Sequence, residues 1–164
     1  MNFYIIPSPI GNLDDITIRV IDTITKIDFL VVENRTIAQN LLKKLKLTKK
    51  KIFTYNDHSN ESDRQNIIKQ LKSGLVGGII SDAGTPLISD PGYKLISELI
   101  TNNVNIISLP GPTAFITALT GSGLPTDKFQ FNGFLPKKNK ELVAVLNECS
   151  SFSGTSIFYE TTHR

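Results

Sequence analysis

Gly78-Ile79-Ile80-Ser81 runs straight into Asp82-Ala83-Gly84-Thr85-Pro86, and the reading of that junction decides the fold. A short apolar, β-branched run that stops at turn formers is a buried strand handing the chain to a loop. Working outward, Tyr93 to Asn102 has the pattern of a helix and Asn105 to Leu109 that of the next strand. On the amino-terminal side, Ser62 to Lys72 reads as a helix and Ile52 to Tyr55 as a strand. Thr36 to Leu45 is a further helix and Phe29 to Val32 a further buried strand. Ile16 to Ile27 places Ile16, Val20, Ile24 and Ile27 at helical spacing, after a first strand at Phe3 to Ile6. Strands that alternate with amphipathic helices build βαβ units, so an α/β fold with a five-stranded, mainly parallel sheet and flanking helices is expected.

Thr113 to Leu119 is the last helix of this repeat, which places a first domain at 1–120. The turn-rich stretch Gly121-Ser122-Gly123-Leu124-Pro125-Thr126-Asp127 reads as a linker over 121–128. Residues 129–164 then hold an aromatic run from Phe129 to Phe134, a basic knot at Lys137-Lys138-Asn139-Lys140, a helix over Glu141 to Glu148 and a strand over Thr155 to Tyr159. So few residues cannot enclose a core of their own, and they are expected to be the start of a second α/β domain.

Composition narrows the functional classes. With 40% apolar and 20% charged residues, the 164-residue chain is an ordinary globular sequence. Its amino-terminal residues lack a basic n-region and no window approaches a membrane span, so a cytoplasmic protein without a membrane partner is expected. One cysteine, Cys149, and two histidines without CxxC or HExxH spacing predict no metal. A net charge of +3 suits a nucleic-acid partner, but 21 Ile and 13 Asn are also the bias of an A/T-rich coding sequence.

Ligands of a parallel sheet bind outside the carboxyl ends of its strands. Three strand-end loops pair proline with glycine there: Pro7-Ser8-Pro9-Ile10-Gly11-Asn12-Leu13-Asp14-Asp15, Ser81-Asp82-Ala83-Gly84-Thr85-Pro86 and Pro110-Gly111-Pro112-Thr113-Ala114. None is a GxxxxGK[ST] or GxGxxG cradle, which disfavours nucleoside triphosphates and dinucleotides. Backbone-rich loops with Asp82 at their edge suit a cationic ligand, and Pro9, Gly11, Asp82, Ala83, Gly84 and Pro112 are its candidate contacts. Asp14, Glu33 and Asp90 lie on loops or strand ends beside them and are candidate proton acceptors, with His58 a further one. For Asp15 and Asp90 a helix-capping role competes.

Several of these residues belong to longer runs. Pro-Ile-Gly-Asn-Leu-Asp-Asp-Ile-Thr at 9–17, Ser-Asp-Ala-Gly-Thr-Pro-Leu-Ile-Ser-Asp-Pro-Gly-Tyr at 81–93, Leu-Pro-Gly-Pro at 109–112, Gly-Leu-Pro-Thr-Asp at 123–127, Gly-Phe-Leu-Pro at 133–136 and Phe-Tyr-Glu-Thr-Thr-His-Arg at 158–164 occur in order. Together they resemble the ribosomal RNA small subunit methyltransferase I family, within the tetrapyrrole methylase superfamily. The resemblance implies two α/β domains, S-adenosylmethionine as cofactor, and methylation of a cytidine 2′-hydroxyl in the decoding region of 16S ribosomal RNA in the 30S subunit. It also implies a homodimer, and it favours Asp82, Thr85, Thr113 and Ala114 as cofactor contacts. Arg35, Lys137, Lys138, Lys140 and Arg164 are the RNA contacts it suggests.

The sequence departs from the family pattern in two places. Glu33-Asn34-Arg35-Thr36 stands where the family has Glu-Asp-Thr-Arg, and His58-Ser59-Asn60-Glu61 carries an extra serine in a His-Asn-Glu run. The family also continues past its His-Arg, so a truncated second domain and loss of turnover are expected. Two alternatives stay open: a non-catalytic remnant that binds cofactor or ribosome, and another methyltransferase of the superfamily. Those relatives carry Gly-Asp-Pro where this chain has Ser81-Asp82-Ala83-Gly84.

Overall fold

The computed structural model describes residues 1–47 and 49–164. It divides into two units, Met1–Pro112 and Thr113–Arg164. The first contains β1 (Asn2–Ile6), α1 (Ile18–Lys26), β2 (Phe29–Val32), α2 (Arg35–Lys44), β3 (Lys51–Thr54), α3 (Glu61–Lys72), β4 (Gly77–Ile80), α4 (Tyr93–Thr101) and β5 (Asn105–Ser108). The sheet is wholly parallel in the order β3-β2-β4-β1-β5. The expected α/β class and five-stranded sheet are therefore observed, with element ends shifted by one or two residues.

Alternation along each strand sorts the core into two layers. Phe3, Ile5, Phe29, Val31 and Ile79 face α3 and α4, where they pack with Ile67, Ile68, Leu71, Leu95 and Leu99. Ile6, Leu30, Val32 and Ile80 face α1 and α2, against Val20, Ile24, Ala38 and Leu42. β2 and β4 are buried at every position, whereas the edge strands β3 and β5 are not. β4 opens on two glycines because its neighbours fill that space. A Cβ on Gly77 would lie 2.2 Å from the Phe29 ring, and one on Gly78 2.7 Å from Ile6 Cδ1.

The helix starts follow side-chain chemistry. Thr17 Oγ1 accepts from Val20 N–H at 3.1 Å, and Asn34 Oδ1 from Thr36 and Ile37 at 2.9 and 3.3 Å. Asn60 and Asp63 close a reciprocal capping box on α3. Capping by Asp15 or Asp90 is not what forms. Asp15 lies inside a short 3₁₀ turn, Leu13–Asp15, and Thr17 caps α1 instead. Gly92, at φ 131°, takes the cap position of α4, where an aspartate side chain could not follow that backbone. The Arg64–Glu98 ion pair, 2.6 Å, ties α3 to α4.

The second unit holds α5 (Ala114–Gly121), β6 (Phe129–Phe134), α6 (Asn139–Ser150) and β7 (Thr155–Tyr159). α5, placed by its sequence with the residues before it, packs on β7 within this unit, and the stretch over 121–128 lies inside the unit. β6 and β7 pair in parallel. Phe115 stacks on Phe131 at 4.5 Å, and Tyr159 meets Phe131 and Phe134 edge-on. Phe129 and Phe134 remain 40% and 52% exposed. Among the described residues, no helix is long and apolar enough to cross a membrane.

Candidate functional site

β1→α1 and β4→α4 leave the sheet toward opposite faces, because α1 packs in one core layer and α4 in the other. β1 and β4 are adjacent. A crevice at a topological switch point of this kind is where open α/β sheets bind ligands. Here the diverging loops are pinned to one another. Ser8 N–H donates to Gly84 C=O at 2.8 Å and Gly84 N–H to Ser8 C=O at 3.1 Å. Ser81 Oγ adds a bond to Gly84 C=O at 2.8 Å, and Thr85 Oγ1 one to Pro112 C=O at 2.9 Å. The ends of β1, β4 and β5 thus share one hydrogen-bonded rim.

The rim has backbone strain on its β4 side. Leu87 and Ser89 sit at φ 75° and 61°, a left-handed region that non-glycine residues avoid. Strain of this kind, of order 1–3 kcal/mol per residue, persists only where surrounding structure enforces it.

Two clefts open from the rim. The larger, about 490 Å³, runs between the β1 loop and α2, lined by Ser8, Pro9, Ile10, Gly11 and Leu13 on one side and by Ile37, Asn40, Leu41 and Lys44 on the other, with Asp82 and Ala83 across its end. The smaller, about 280 Å³, is lined by Glu33, Asn34, Asn56, Asp57, His58 and Asp82. Asp82 borders both. Its Oδ1 accepts from Asn34 N–H at 3.3 Å, which holds the carboxylate between the ends of β2 and β4.

The smaller cleft concentrates negative charge. Glu33 is held above the ordinary carboxylate range by burial first, then by the charges of Asp82, Asp90 and Asp57. Burial also raises Asp82, against the lowering effect of the Asn34 N–H. Asp90 rises through burial and then the charge of Asp82. Carboxylates raised in this way are better proton acceptors than solvated ones, and a nearby cation would lower them again. Among the described residues, no three of His, Cys, Asp and Glu are placed to hold a metal ion.

Against this geometry the sequence candidates separate. Pro9, Gly11, Asp82 and Ala83 line the larger cleft, and Gly84, Thr85 and Pro112 build its rim. Thr113, at the cap position of α5, and Ala114 belong to the second unit. Glu33 and Asp90 join the acidic group, whereas Asp14 stands on the exposed 3₁₀ turn, outside both cleft linings. Arg35 Nη2 donates to Ile52 C=O at 2.8 Å. Arg164 donates to the carbonyls of Leu135 and Pro136 at 3.0 and 3.2 Å and pairs with Glu160 at 3.2 Å. Lys137, Lys138 and Lys140 are exposed, Lys138 pairing with Glu141.

Sequence reasoning passed over Asp57 and the α2 wall. Asp57 follows β3 in a loop without the Pro-Gly signature that marked the others. Ile37, Asn40, Leu41 and Lys44 stand at i, i+3, i+4 and i+7, one legible helix face.

Comparison with known proteins places these features in a family. A protein of Vibrio cholerae serotype O1 named "Ribosomal RNA small subunit methyltransferase I" is 46% identical over 161 residues, 98% of this chain and 56% of its own length. Relatives of the same name from Rickettsia prowazekii and Hydrogenobaculum are 47% and 42% identical, with 57% and 71% of their lengths covered. The chain thus spans little more than half the length of most of these relatives. Among solved structures, uroporphyrin III C-methyl transferase from Thermus thermophilus matches with a TM-score of 0.59 at 14% identity, over 84% of this chain and 61% of that one. The same enzyme complexed with S-adenyl homocysteine gives 0.58. A family model described as Tetrapyrrole (Corrin/Porphyrin) Methylases matches residues 2–164. With that match running from the first strand past the last, and with the sheet of such a methylase beneath it, the chain belongs to the tetrapyrrole (corrin/porphyrin) methylases.

Proposed function

We propose that this chain supplies the cofactor-binding unit of an enzyme that methylates the ribose 2′-hydroxyl of a cytidine in the decoding region of 16S ribosomal RNA, using S-adenosylmethionine. The names of the relatives support the RNA substrate, and the Thermus structure that holds S-adenyl homocysteine supports the cofactor. The observation that carries the reading is Asp82, which borders both a roomy cleft and a small acidic one.

The larger cleft fits the cofactor. About 490 Å³ lies within the range of small-molecule sites. Gly84, at φ 80°, turns the β4 loop against the β1 loop, so that their main-chain groups pair at the rim of the cleft. The Ser8 hydroxyl is buried there without a hydrogen-bond partner among the described residues, a polar group that a ligand or an ordered water would satisfy. Pro9, Gly11, Asp82, Ala83 and Gly84 would hold the cofactor, with Thr85 and Pro112 fixing the rim. The cofactor, when bound, supplies an electrophilic methyl group on a positively charged sulfur.

The chain's own residues then do two things. The pinned rim orients the donor, which is the larger part of what an in-line displacement needs. Glu33 or Asp90, raised by burial and by neighbouring carboxylates, accepts the hydroxyl proton while Asp82 faces the positive charge. Lys137, Lys138, Lys140, Arg35 and Arg164 contribute to RNA binding in this proposal, which also includes the 30S subunit as partner, a homodimeric assembly and a cytoplasmic location. Thermal unfolding with added ligands tests the cofactor: S-adenosylmethionine and its demethylated product should stabilise the fold, and ATP and NAD should not. Transfer of labelled methyl groups to 30S subunits lacking the modification tests the reaction. Equal stabilisation by all four ligands overturns the cofactor assignment.

A further inference from the structure

Positive charge is strongly segregated in this chain. Residues 35–56 hold seven of the 18 Lys and Arg and none of the 15 Asp and Glu, so this stretch carries +7 in a chain whose total is +3. The rest of the sequence is net negative. Folding carries that charge along α2 to the approach of β3, at the amino-terminal edge of the sheet, opposite the edge that bears the acidic cleft.

A groove of about 380 Å³ opens at that end of α2. Lys43, Lys49 and Lys50 supply its charge, the amides of Gln39 and Asn40 add donors, and among the described residues no carboxylate lines it. Lys50 is fixed in place because its ammonium donates to the carbonyls of Thr25 and Ile27, each at 2.8 Å, at the end of α1. Lys51 is engaged elsewhere, with Gln70 Oε1 at 2.9 Å and above the Phe53 ring at 5.0 Å. Lys43 and Lys49 are exposed and both line the groove. Lysines in the last turn of a helix ordinarily complement its dipole. That role accounts for Lys43 and Lys44, but not for Lys49, which lies beyond the helix, or for a lining without a carboxylate among the described residues.

The groove and the site already described share a wall. Asn40 lines both the groove and the larger cleft, and Lys44 lines the latter. α2, with ten residues, is about 15 Å long, the length of roughly four stacked nucleotides at about 3.4 Å each.

We propose that the flank of α2 is a phosphate track that binds the backbone of the RNA strand leading to the reacting ribose, with Lys43 and Lys49 contacting phosphates at its far end. The assignment rests on the ribosomal RNA reading above and adds a binding surface to it. The test uses a dye-labelled single-stranded RNA copying the decoding region, titrated by anisotropy at salt concentrations from roughly 50 to 200 mM. Replacing Lys43 and Lys49 by Gln together should flatten the log–log salt slope by about 1.4, at about 0.7 per phosphate contact on a single strand. Lys43→Arg with Lys49→Arg should keep the wild-type slope, and stabilisation by S-adenosylhomocysteine should be unchanged in both variants. An unchanged slope in the Gln variant overturns the track and leaves the methyltransferase reading standing. If the wild-type chain binds the cofactor product but not the RNA at the lowest salt, the track and the RNA substrate fall together.

Discussion

Gly84→Ala perturbs the rim at the point where the two loops meet. At φ 80° a residue with a Cβ is in the left-handed region, at a cost of about 1–2 kcal/mol. The added Cβ would lie 3.1 Å from Ile10 Cγ2, so Ile10 must give by a few tenths of an ångström, and Ile10 lines the larger cleft. Pro112 C=O, at 3.6 Å, is in ordinary contact and adds nothing. For a chain of this size each kcal/mol lowers the melting temperature by about 2–4 °C, so a fall of about 2–8 °C is expected. Gly74→Ala is the matched control. Gly74, at φ 93° after α3, would meet nothing within 4 Å and lies outside both cleft linings. Both variants should lose stability to a similar extent in thermal unfolding. Only Gly84→Ala should also weaken S-adenosylhomocysteine binding by calorimetry, by up to about tenfold, or about 1.4 kcal/mol. Wild-type affinity in a destabilised Gly84→Ala protein would show that the pinned rim does not shape the cofactor site. An unchanged melting temperature would refute the backbone argument itself.

The raised carboxylates give the sulfonium a signature that the neutral thioether of its product lacks. A cation beside Glu33, Asp82 and Asp90 favours their ionised forms and displaces protons, so S-adenosylmethionine affinity relative to S-adenosylhomocysteine should climb as pH rises from the ordinary carboxylate range through the raised values; Asp82→Asn should flatten that climb, and a ratio independent of pH in the wild type rules the arrangement out. Without ligand the sign reverses. The folded chain holds these protons more tightly than the unfolded one, so stability falls as pH rises from the ordinary carboxylate range through the raised values. Glu33→Gln should shrink that fall by up to about 1 kcal/mol in urea titrations at pH 5 and 8, the scale of partly exposed charge pairs. Gly77→Ala drives a methyl into the Phe29 ring, which is fully buried, and should cost about 1–3 kcal/mol by urea denaturation; a neutral result would mean that Phe29 has room to move.

Local pattern sufficed for the elements because burial period and turn chemistry act over a few residues. Phe29-Leu30-Val31-Val32 is buried on both faces and is apolar throughout, as a central parallel strand must be. What the pattern does not hold is the order of the strands. β4 enters between β1 and β2, a pairing set by contacts far apart in sequence, and its two opening glycines are what let Phe29 and Ile6 pack over it. Capping shows the same boundary. Asp15 and Asp90 have the right residue type, but the cap also requires a backbone geometry, and Thr17 and Gly92 occupy those positions.

The site was legible where proline and glycine marked a loop, and illegible where proximity alone makes it. Asp57 gains its role from β3 lying beside β2, which brings its carboxylate to Glu33. Net charge failed as a guide for a related reason. The total of +3 averages a stretch at +7 with a remainder that is net negative, and an A/T-rich coding bias accounts for abundant lysine but not for a stretch, residues 35–56, that holds seven basic residues and no acidic one. The two signs then meet opposite demands at the two ends of α2. Carboxylates gather at the carboxyl edge of the sheet, where a cationic donor would bind, and ammonium groups gather at the amino edge, where a polyanion can be held without neutralising them.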